Sequence, residues 1–232
     1  MKTVEHIFEP SRLVLVWHNS DLSMPHTRRI VGEIIRHGDD YEFQYLIETE
    51  DYKEAVKEGF IAFPAFAEVS GKKYSAALDV FKRRLPPTSR EDYSEYLSQY
   101  SLPSAFTGST FALLGYTGAR LASDTFELCP DLSDAEAPLD LLFELSGTQH
   151  YLSSAEHLKP GDKVDFVCDG NNPHDSFAVK AVVNNQTVGF INRSISKGFC
   201  ELLSKGKVTA SVVRAHHYRK KPRIILLVSF RK

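Results

Sequence analysis

The spacing of apolar residues predicts strands followed by helices in the first part of the chain. Apolar and polar positions alternate over residues 41–46, which is the period of a half-buried strand, and residues 30–36 supply a partner for a hairpin. A shorter apolar run predicts another strand at 13–17. Apolar residues at three- and four-residue spacing then predict helices at 51–57, 75–85 and 89–100.

The last third of the chain has a different pattern, in which short strands dominate. Strands are predicted at 139–145, 163–168, 177–183, 187–191, 207–215 and 223–230. One amphipathic helix is predicted at 194–205. Short strands around a single helix are typical of a small, partly open barrel related to the OB and SH3 folds.

These patterns predict an α+β fold class with two domains. The first, residues 1–128, is expected to be an α+β domain with a small antiparallel sheet and helices. The second, residues 139–232, is expected to be the β-barrel. A polar, acidic segment at 129–138 is expected to be the linker between them.

Length and composition are those of an ordinary globular protein. The chain has 232 residues, of which 42% are hydrophobic and 25% are charged. Its first residues lack the apolar core of a signal peptide, and no run approaches the roughly 18 apolar residues of a membrane span. We therefore expect a cytoplasmic protein that has no membrane partner.

The cysteines indicate neither a disulfide framework nor a zinc site. Cys129, Cys168 and Cys200 are odd in number and far apart, and no Cys-x-x-Cys pair occurs. On this basis no disulfide is predicted, and no metal or other cofactor is expected.

The sequence also lacks the common catalytic motifs. It contains no Walker motif, no His-Arg-Asp catalytic loop and no Gly-x-Ser-x-Gly elbow. We therefore expect a non-enzymatic protein with no catalytic residues.

Charge is distributed unevenly along the chain. Residues 146–232 hold 14 Lys and Arg against 6 Asp and Glu, whereas the whole chain holds 28 against 30. The C-terminal part is thus basic and the rest acidic, an asymmetry that favours nucleic-acid binding. Two alternatives stay open: the two parts attract each other, or lysines protect strand edges from aggregation.

The segment Gly170-Asn171-Asn172-Pro173-His174-Asp175-Ser176-Phe177-Ala178-Val179, followed by Val188-Gly189-Phe190-Ile191-Asn192-Arg193, carries a family resemblance. In order and spacing it resembles the HIRAN domain, a small β-barrel found alone in bacteria and fused to DNA-remodelling helicases in eukaryotes. The resemblance implies binding of single-stranded DNA and capture of its free 3′-hydroxyl end.

The resemblance also implies site residues in this chain. Gln149, His150 and Tyr151 occupy the place where the family has an arginine and two aromatic residues, and of these only Tyr151 is unchanged. His174 lies within the Asn-Pro-x-Asp turn. Asp175 matches the family's acidic residue that accepts a hydrogen bond from the terminal hydroxyl. A turn carboxylate that bonds backbone amides is the alternative for Asp175.

Two basic groups complete the expected interface. Arg193 matches the family's basic residue after the hairpin, and with Lys197 it would lie on the first turn of the predicted helix, where backbone amides also favour phosphate. A second basic run comprises Arg214, Arg219, Lys220, Lys221 and Arg223. Such a run is either a nucleic-acid contact or a solvated hairpin tip.

The first part of the chain resembles the small N-terminal subdomain of HipA-type kinase toxins. The matching pieces include Val31-Gly32-Glu33, Phe60-x-x-Phe63-Pro64 and Thr117-Gly118-x-Arg120-Leu121-Ala122-x-Asp124. The resemblance implies a HipA-like kinase as a protein partner and a regulatory role in a bacterial toxin–antitoxin system. An unrelated α+β domain is the alternative. The rings of residues 41–66 outnumber what a small core needs, so some are expected at an interface.

Overall fold

The computed structural model describes residues 3–21, 27–69, 71–217 and 222–232. Its strands are β1 (Arg12–Trp17), β2 (Arg29–His37), β3 (Asp40–Tyr45), β4 (Lys73–Tyr74), β5 (Phe126–Pro130), β6 (Leu139–Glu144), β7 (Asp165–Cys168), β8 (Val179–Val183), β9 (Gln186–Phe190), β10 (Lys207–His216) and β11 (Arg223–Arg231). Its α-helices are α1 (Glu50–Lys57), α2 (Ala77–Phe81), α3 (Tyr93–Gln99), α4 (Thr110–Thr117), α5 (Leu152–Ala155) and α6 (Arg193–Lys205). Short 3₁₀ turns lie at Lys82–Arg84 and Thr148–His150.

The chain forms two compact units that interleave along the sequence. One, the sheet unit, comprises residues 9–93 and 108–131; the other, the barrel unit, comprises residues 1–8, 94–107 and 132–232. The sequence-based division at 128 and 139 differs from this grouping. Two segments from the first part of the chain belong to the barrel unit, and such long-range grouping leaves no trace in local periodicity.

The sheet unit is built on a five-stranded antiparallel sheet in the order β4-β3-β2-β1-β5. The predicted hairpin is confirmed, since β2 pairs with β3 around Gly38, which has a φ of 64°. Gly32 lies opposite Tyr45, and a Cβ at this position would come within 2.7 Å of the Phe43 ring. A glycine is therefore needed for the sheet to close over that ring.

Aromatic rings form much of the core of the sheet unit. Phe43 is fully buried and stacks on Phe66 with ring centroids 4.6 Å apart, while Phe63 packs 4.9 Å from Phe81 and 5.0 Å from Phe126. Tyr45, the last residue of β3, holds the following loop in place: its hydroxyl donates to the Phe66 carbonyl (2.6 Å) and accepts from the Phe63 amide (2.7 Å). Burial raises the pKa of this hydroxyl to about 12, so it stays protonated and can make both bonds.

The rings that were expected at an interface lie in this core instead. Tyr45, Phe60, Phe63 and Phe66 are at most 5% exposed, and Tyr41 packs partly buried against Phe111 at 4.9 Å. The expectation of surplus rings was wrong because the loop after α1 folds back over the sheet and needs its phenylalanines to fill that space.

The helices and the linker also differ from expectation in places. The helix predicted at 75–85 is only α2 followed by a 3₁₀ turn, and the helix predicted from residue 89 begins at Tyr93 after two turns. Helix α4 was not predicted, because it is apolar on nearly all sides and shows no amphipathic period. Strand β5 occupies part of the predicted linker and pairs with β1.

The barrel unit consists of two three-stranded antiparallel sheets, in the orders β10-β11-β6 and β7-β8-β9. Single bridges join them at both sides: Ser146 pairs with Phe190, and Lys163 pairs with Ser211. The strands therefore follow one another around a partly closed barrel, as the sequence pattern predicts.

Helix α6 closes this barrel with an apolar face. Phe199 is fully buried and meets the rings of Phe143, Phe166 and Phe230 edge-on at 4.9–5.6 Å. Edge-to-face contacts of this kind are favourable beyond the area they bury. They fix the helix relative to β6, β7 and β11.

Within the barrel unit, one buried carboxylate binds the backbone of Glu5 and His6 to strand β6. Asp140 on β6 is 1% exposed and accepts from the backbone amides of Glu5 (2.8 Å) and His6 (2.9 Å). The Arg231 guanidinium lies 2.8 Å from its other oxygen. Burial alone raises the pKa of Asp140, but these donors, with the Ser229 hydroxyl, outweigh burial and lower the pKa below its usual range.

Candidate nucleic-acid interface

The turn between β7 and β8 is held by the side chains of its own polar residues. The Asn172 Oδ1 accepts from the His174 amide at 3.0 Å, and the Asp175 Oδ1 accepts from the Phe177 amide at 2.9 Å. These are the Asx-type bonds that Asn-Pro-x-Asp favours. Asp175 thus has the turn role that was one of its two interpretations.

Asp175 also bonds to helix α6. Its Oδ2 accepts from the Ser196 hydroxyl at 2.7 Å, and Ser196 is 1% exposed. The two oxygens of the carboxylate therefore point in defined directions: one serves the turn and the other serves the helix. Sequence reasoning missed Ser196, because its position matters only once the turn lies against the helix.

The basic residues of α6 lie beside this contact. Asn192 caps the helix, with its side chain accepting from the Ser194 amide. Arg193 and Lys197 are exposed and stand one helical turn apart, with Ser196 between them on the same face. The structure therefore places Asp175 next to the part of α6 that carries Arg193 and Lys197.

Phe177 adds an exposed ring to this group. Its side chain is 43% exposed, and the Lys197 Nζ lies 5.6 Å from the centre of the ring. The sequence pattern predicts Phe177 as the first residue of a strand, but β8 begins at Val179 and the ring lies in the turn. The signal in the sequence was an aromatic residue two positions after the Asn-Pro-x-Asp motif. We call Asp175, Phe177, Arg193, Ser196 and Lys197 the turn–helix cluster.

The other expected aromatic site lies after β6. Gln149 and His150 are exposed on a 3₁₀ turn that Gly147 starts with a φ of 71°, and their side-chain nitrogens are 3.3 Å apart. Tyr151 is half-buried and packs on Phe190 of β9 at 6.0 Å. We call Gln149, His150, Tyr151 and Phe190 the ring cluster. It connects with the turn–helix cluster through β9, because α6 begins three residues after Phe190.

The basic run at the β10–β11 hairpin does not form an open cationic surface in its described part. Burial lowers the pKa of Arg214, and its Nε and Nη2 lie buried. Arg223 pairs with Glu144, with nitrogen–oxygen distances of 3.2 and 2.9 Å. Arg219, Lys220 and Lys221 lie outside the described residues.

Cys168 and Cys200 form a disulfide, so the expectation of no disulfide was wrong. The residues are 32 positions apart in sequence, but their Cα atoms are 6.4 Å apart. The cause is packing: Phe166 of β7 meets Phe199 of α6 at 4.9 Å, and each cysteine follows one of these rings closely. Cys129, on β5, is buried.

The described ranges contain no group of three or more His, Cys, Asp or Glu residues placed to hold a metal ion. None of the helices within them combines the length and apolar character that a membrane span requires.

Comparison with known proteins bears on the barrel unit. No curated protein matches the chain. The crystal structure of the HIRAN domain of human HLTF aligns with 17% sequence identity and a TM-score of 0.35, over 40% of this chain and 76% of that chain. The family model of the HIRAN domain matches residues 139–230. The matched residues all lie within the barrel unit.

Proposed function

We propose that the barrel unit binds single-stranded DNA, including its 3′ ends, and that it does so as a non-enzymatic module. The observation that carries the proposal is the turn–helix cluster, in which an exposed ring, two cations and a fixed carboxylate share one surface. The HIRAN match over residues 139–230 supports the same function.

The two cations of the turn–helix cluster are suited to bind backbone phosphates. Arg193 and Lys197 lie on the first turns of a 13-residue helix, where the partial positive charge of the backbone amides adds to theirs. Both side chains are exposed, so a strand can reach them.

The aromatic rings of the two clusters are suited to stacking against nucleic-acid bases. Single-strand binding commonly combines a basic groove with aromatic side chains on which bases stack, each worth ~1–3 kcal/mol. Phe177 offers an exposed ring next to Lys197, and Tyr151 offers a half-buried ring that is steadied by Phe190. Exposed His150 and His174 stand beside these rings in sequence and extend the surface available to bases.

The Asp175 carboxylate is suited to accept a hydrogen bond from a terminal hydroxyl group. A carboxylate has about four lone-pair sites, and the two protein donors to Asp175 leave acceptor capacity on both oxygens. Because the turn and Ser196 already orient the group, a terminal 3′-hydroxyl could bond to it without rearrangement. A terminal phosphate in the same place would be repelled.

The direct test is binding of fluorescently labelled single strands to the full-length protein. We expect log Kd to change linearly with log salt concentration, with a slope near 0.7 per neutralised phosphate. A strand with a free 3′-hydroxyl should bind more tightly than the same strand with a 3′-phosphate. Absence of binding at low salt would overturn the proposal.

Asp175→Asn sharpens the test of end recognition. Asparagine keeps the oxygen that accepts from the Phe177 amide, and the Ser196 hydroxyl can turn to accept from the new amide while keeping its 3.0 Å bond to the Arg193 carbonyl. The fold should therefore persist while the charged acceptor is lost. We expect the preference for a free 3′ end to disappear and internal binding to remain.

The role of the sheet unit stays a prediction. A HipA-like kinase partner, and with it a regulatory role in a toxin–antitoxin system, was suggested partly by aromatic residues that lie in the core. Co-purification of the native protein with its neighbouring gene products, followed by ATP-dependent labelling, tests this interpretation.

A further inference from the structure

We propose that Cys168 and Cys200 form a reversible thiol–disulfide site that controls the geometry of the turn–helix cluster. The effect on binding rests on the function proposed above; the effect on the turn itself does not.

The disulfide joins the two elements that build the cluster. Cys168 is the last residue of β7, directly before the turn that carries Asp175 and Phe177. Cys200 lies on α6, four residues after Ser196 and three after Lys197. Residues at this spacing share one face of a helix, so the bond fastens the turn to the same face that carries the cations.

Without the disulfide, two contacts described above still hold the turn against the helix. They are the Asp175–Ser196 hydrogen bond, in which Ser196 is buried but Asp175 is half-exposed, and the contact between the exposed Lys197 and Phe177. Within the turn, Asp169 still pairs with Lys180, and its amide still donates to the Ala178 carbonyl at 2.7 Å. Reduction should therefore leave β7 and β8 paired but loosen the turn relative to Arg193 and Lys197, so that the hydrogen bonds within the turn open more often.

The disulfide lies where an external thiol can reduce it and an external disulfide can form it again. Cys168 is exposed and Cys200 is partly exposed, so a small thiol can reach the bond. The contact between Phe166 and Phe199 at 4.9 Å does not depend on the bond, so it keeps the two thiols close after reduction. Buried Cys129 is the matched cysteine that lacks such access.

The chemistry is thiol–disulfide exchange with a small dithiol or with glutathione. A thiolate attacks one cysteine sulfur, the protein S–S bond breaks, and the other cysteine leaves as a thiolate that takes a proton. A second thiol then resolves the mixed disulfide. Overall, two external thiols become one external disulfide while the protein gains two S–H groups; oxidation by the external disulfide is the reverse.

The test compares the full-length protein in its oxidised and reduced states. Peptide mapping by mass spectrometry should find Cys168 linked to Cys200 after oxidation and both free after treatment with dithiothreitol. Reduction should weaken binding of a labelled single strand about fivefold or more. Cys200→Ser should bind like the reduced wild type in both buffers, whereas Cys129→Ala should keep the wild-type response.

Hydrogen exchange of the amides at 169–178 separates this inference from the proposed function. Faster exchange on reduction in the wild type, and no redox effect in Cys200→Ser, would support the switch even if no DNA were bound. Equal exchange in the two states, a change in Kd of less than about twofold in a protein that binds DNA, or failure to find the Cys168–Cys200 peptide would overturn it.

Discussion

The two units use aromatic residues in opposite ways. In the sheet unit, Phe43, Phe63 and Phe66 are at most 4% exposed and pack on one another. In the barrel unit, Phe199 is the ring around which others gather, while Phe177 is 43% exposed in a turn. Aromatic content therefore says little about binding; the location of each ring decides whether it stabilises the fold or meets a ligand.

The same contrast applies to carboxylates in the barrel unit. Asp140 is buried, with donors arranged around it, and joins distant parts of the chain. Asp175 is half-exposed and fixes a turn beside cations. We therefore expect Asp140 to contribute to the stability of the fold and Asp175 to contribute to ligand binding. Substitutions at the two positions should separate these effects.

The largest expected effect is on the sheet unit. Phe43→Ala removes a fully buried ring that stacks on Phe66 and meets Tyr45 edge-on at 4.9 Å. We expect a loss of ~3–5 kcal/mol in the free energy of unfolding, because the cavity adds to the lost burial. Urea titration followed by circular dichroism measures it. DNA affinity of the folded fraction should not change; a loss below about 1 kcal/mol would contradict the assigned role of the ring.

Asp140→Asn should have the next largest effect. It leaves the Arg231 guanidinium without its anion and weakens the bonds to the Glu5 and His6 amides. Removing one partner of a buried pair typically costs ~3–5 kcal/mol, and the partly exposed Arg231 places this pair near the lower end. Thermal unfolding at neutral pH checks the loss.

The pH dependence of that effect has a definite sign. Because the pKa of Asp140 is lower in the folded state than in the unfolded one, its stabilisation is present above the ordinary carboxyl pKa and is lost as pH falls through the folded value. The difference in unfolding free energy between wild type and Asp140→Asn should therefore shrink in acid. A difference that is independent of pH would contradict this.

Phe177→Ala should change binding rather than stability. The ring is exposed, so the free energy of unfolding should change by less than ~0.5 kcal/mol. Loss of a stacking surface should cost ~1–3 kcal/mol of affinity for a single strand. Phe177→Tyr is the control that keeps a ring, and fluorescence anisotropy gives both dissociation constants. Equal affinity of Phe177→Ala and wild type would remove this ring from the interface.

The smallest expected effect is that of Lys197→Gln. Loss of one phosphate contact should reduce the magnitude of the salt slope for single-strand binding by ~0.7. Lys205→Gln is the matched control, since it removes an exposed lysine from the far end of the same helix. Equal slopes for the two variants would show that Lys197 contributes only to the general charge of the unit.

Local sequence pattern predicted the strands of the barrel and helix α6 to within a few residues. These elements are short and bounded by polar turns such as Asn184-Asn185, where positive φ angles of 50° and 64° make the hairpin. Helix α4 could not be predicted, because its own residues are apolar on nearly all sides and so show no helical period.

The candidate site was predictable only in part. The turn motif and Arg193 are recognisable in one stretch of sequence, but the Ser196 partner of Asp175 and the Cys168–Cys200 bond depend on how α6 lies against β7. The exposed ring of Phe177 depends on where β8 begins. Such features follow from packing between elements, which local periodicity does not record.

The interleaving of the two units has a consequence for synthesis on the ribosome. Every segment of the sheet unit is complete once residue 131 has emerged, so its core can form early. The barrel unit includes residues 1–8 and also needs β11, whose central position between β10 and β6 makes it indispensable. The barrel unit can therefore close only when β11 has been translated, more than two hundred residues after its first segment, and Arg231 then completes the set of donors around the Asp140 carboxylate.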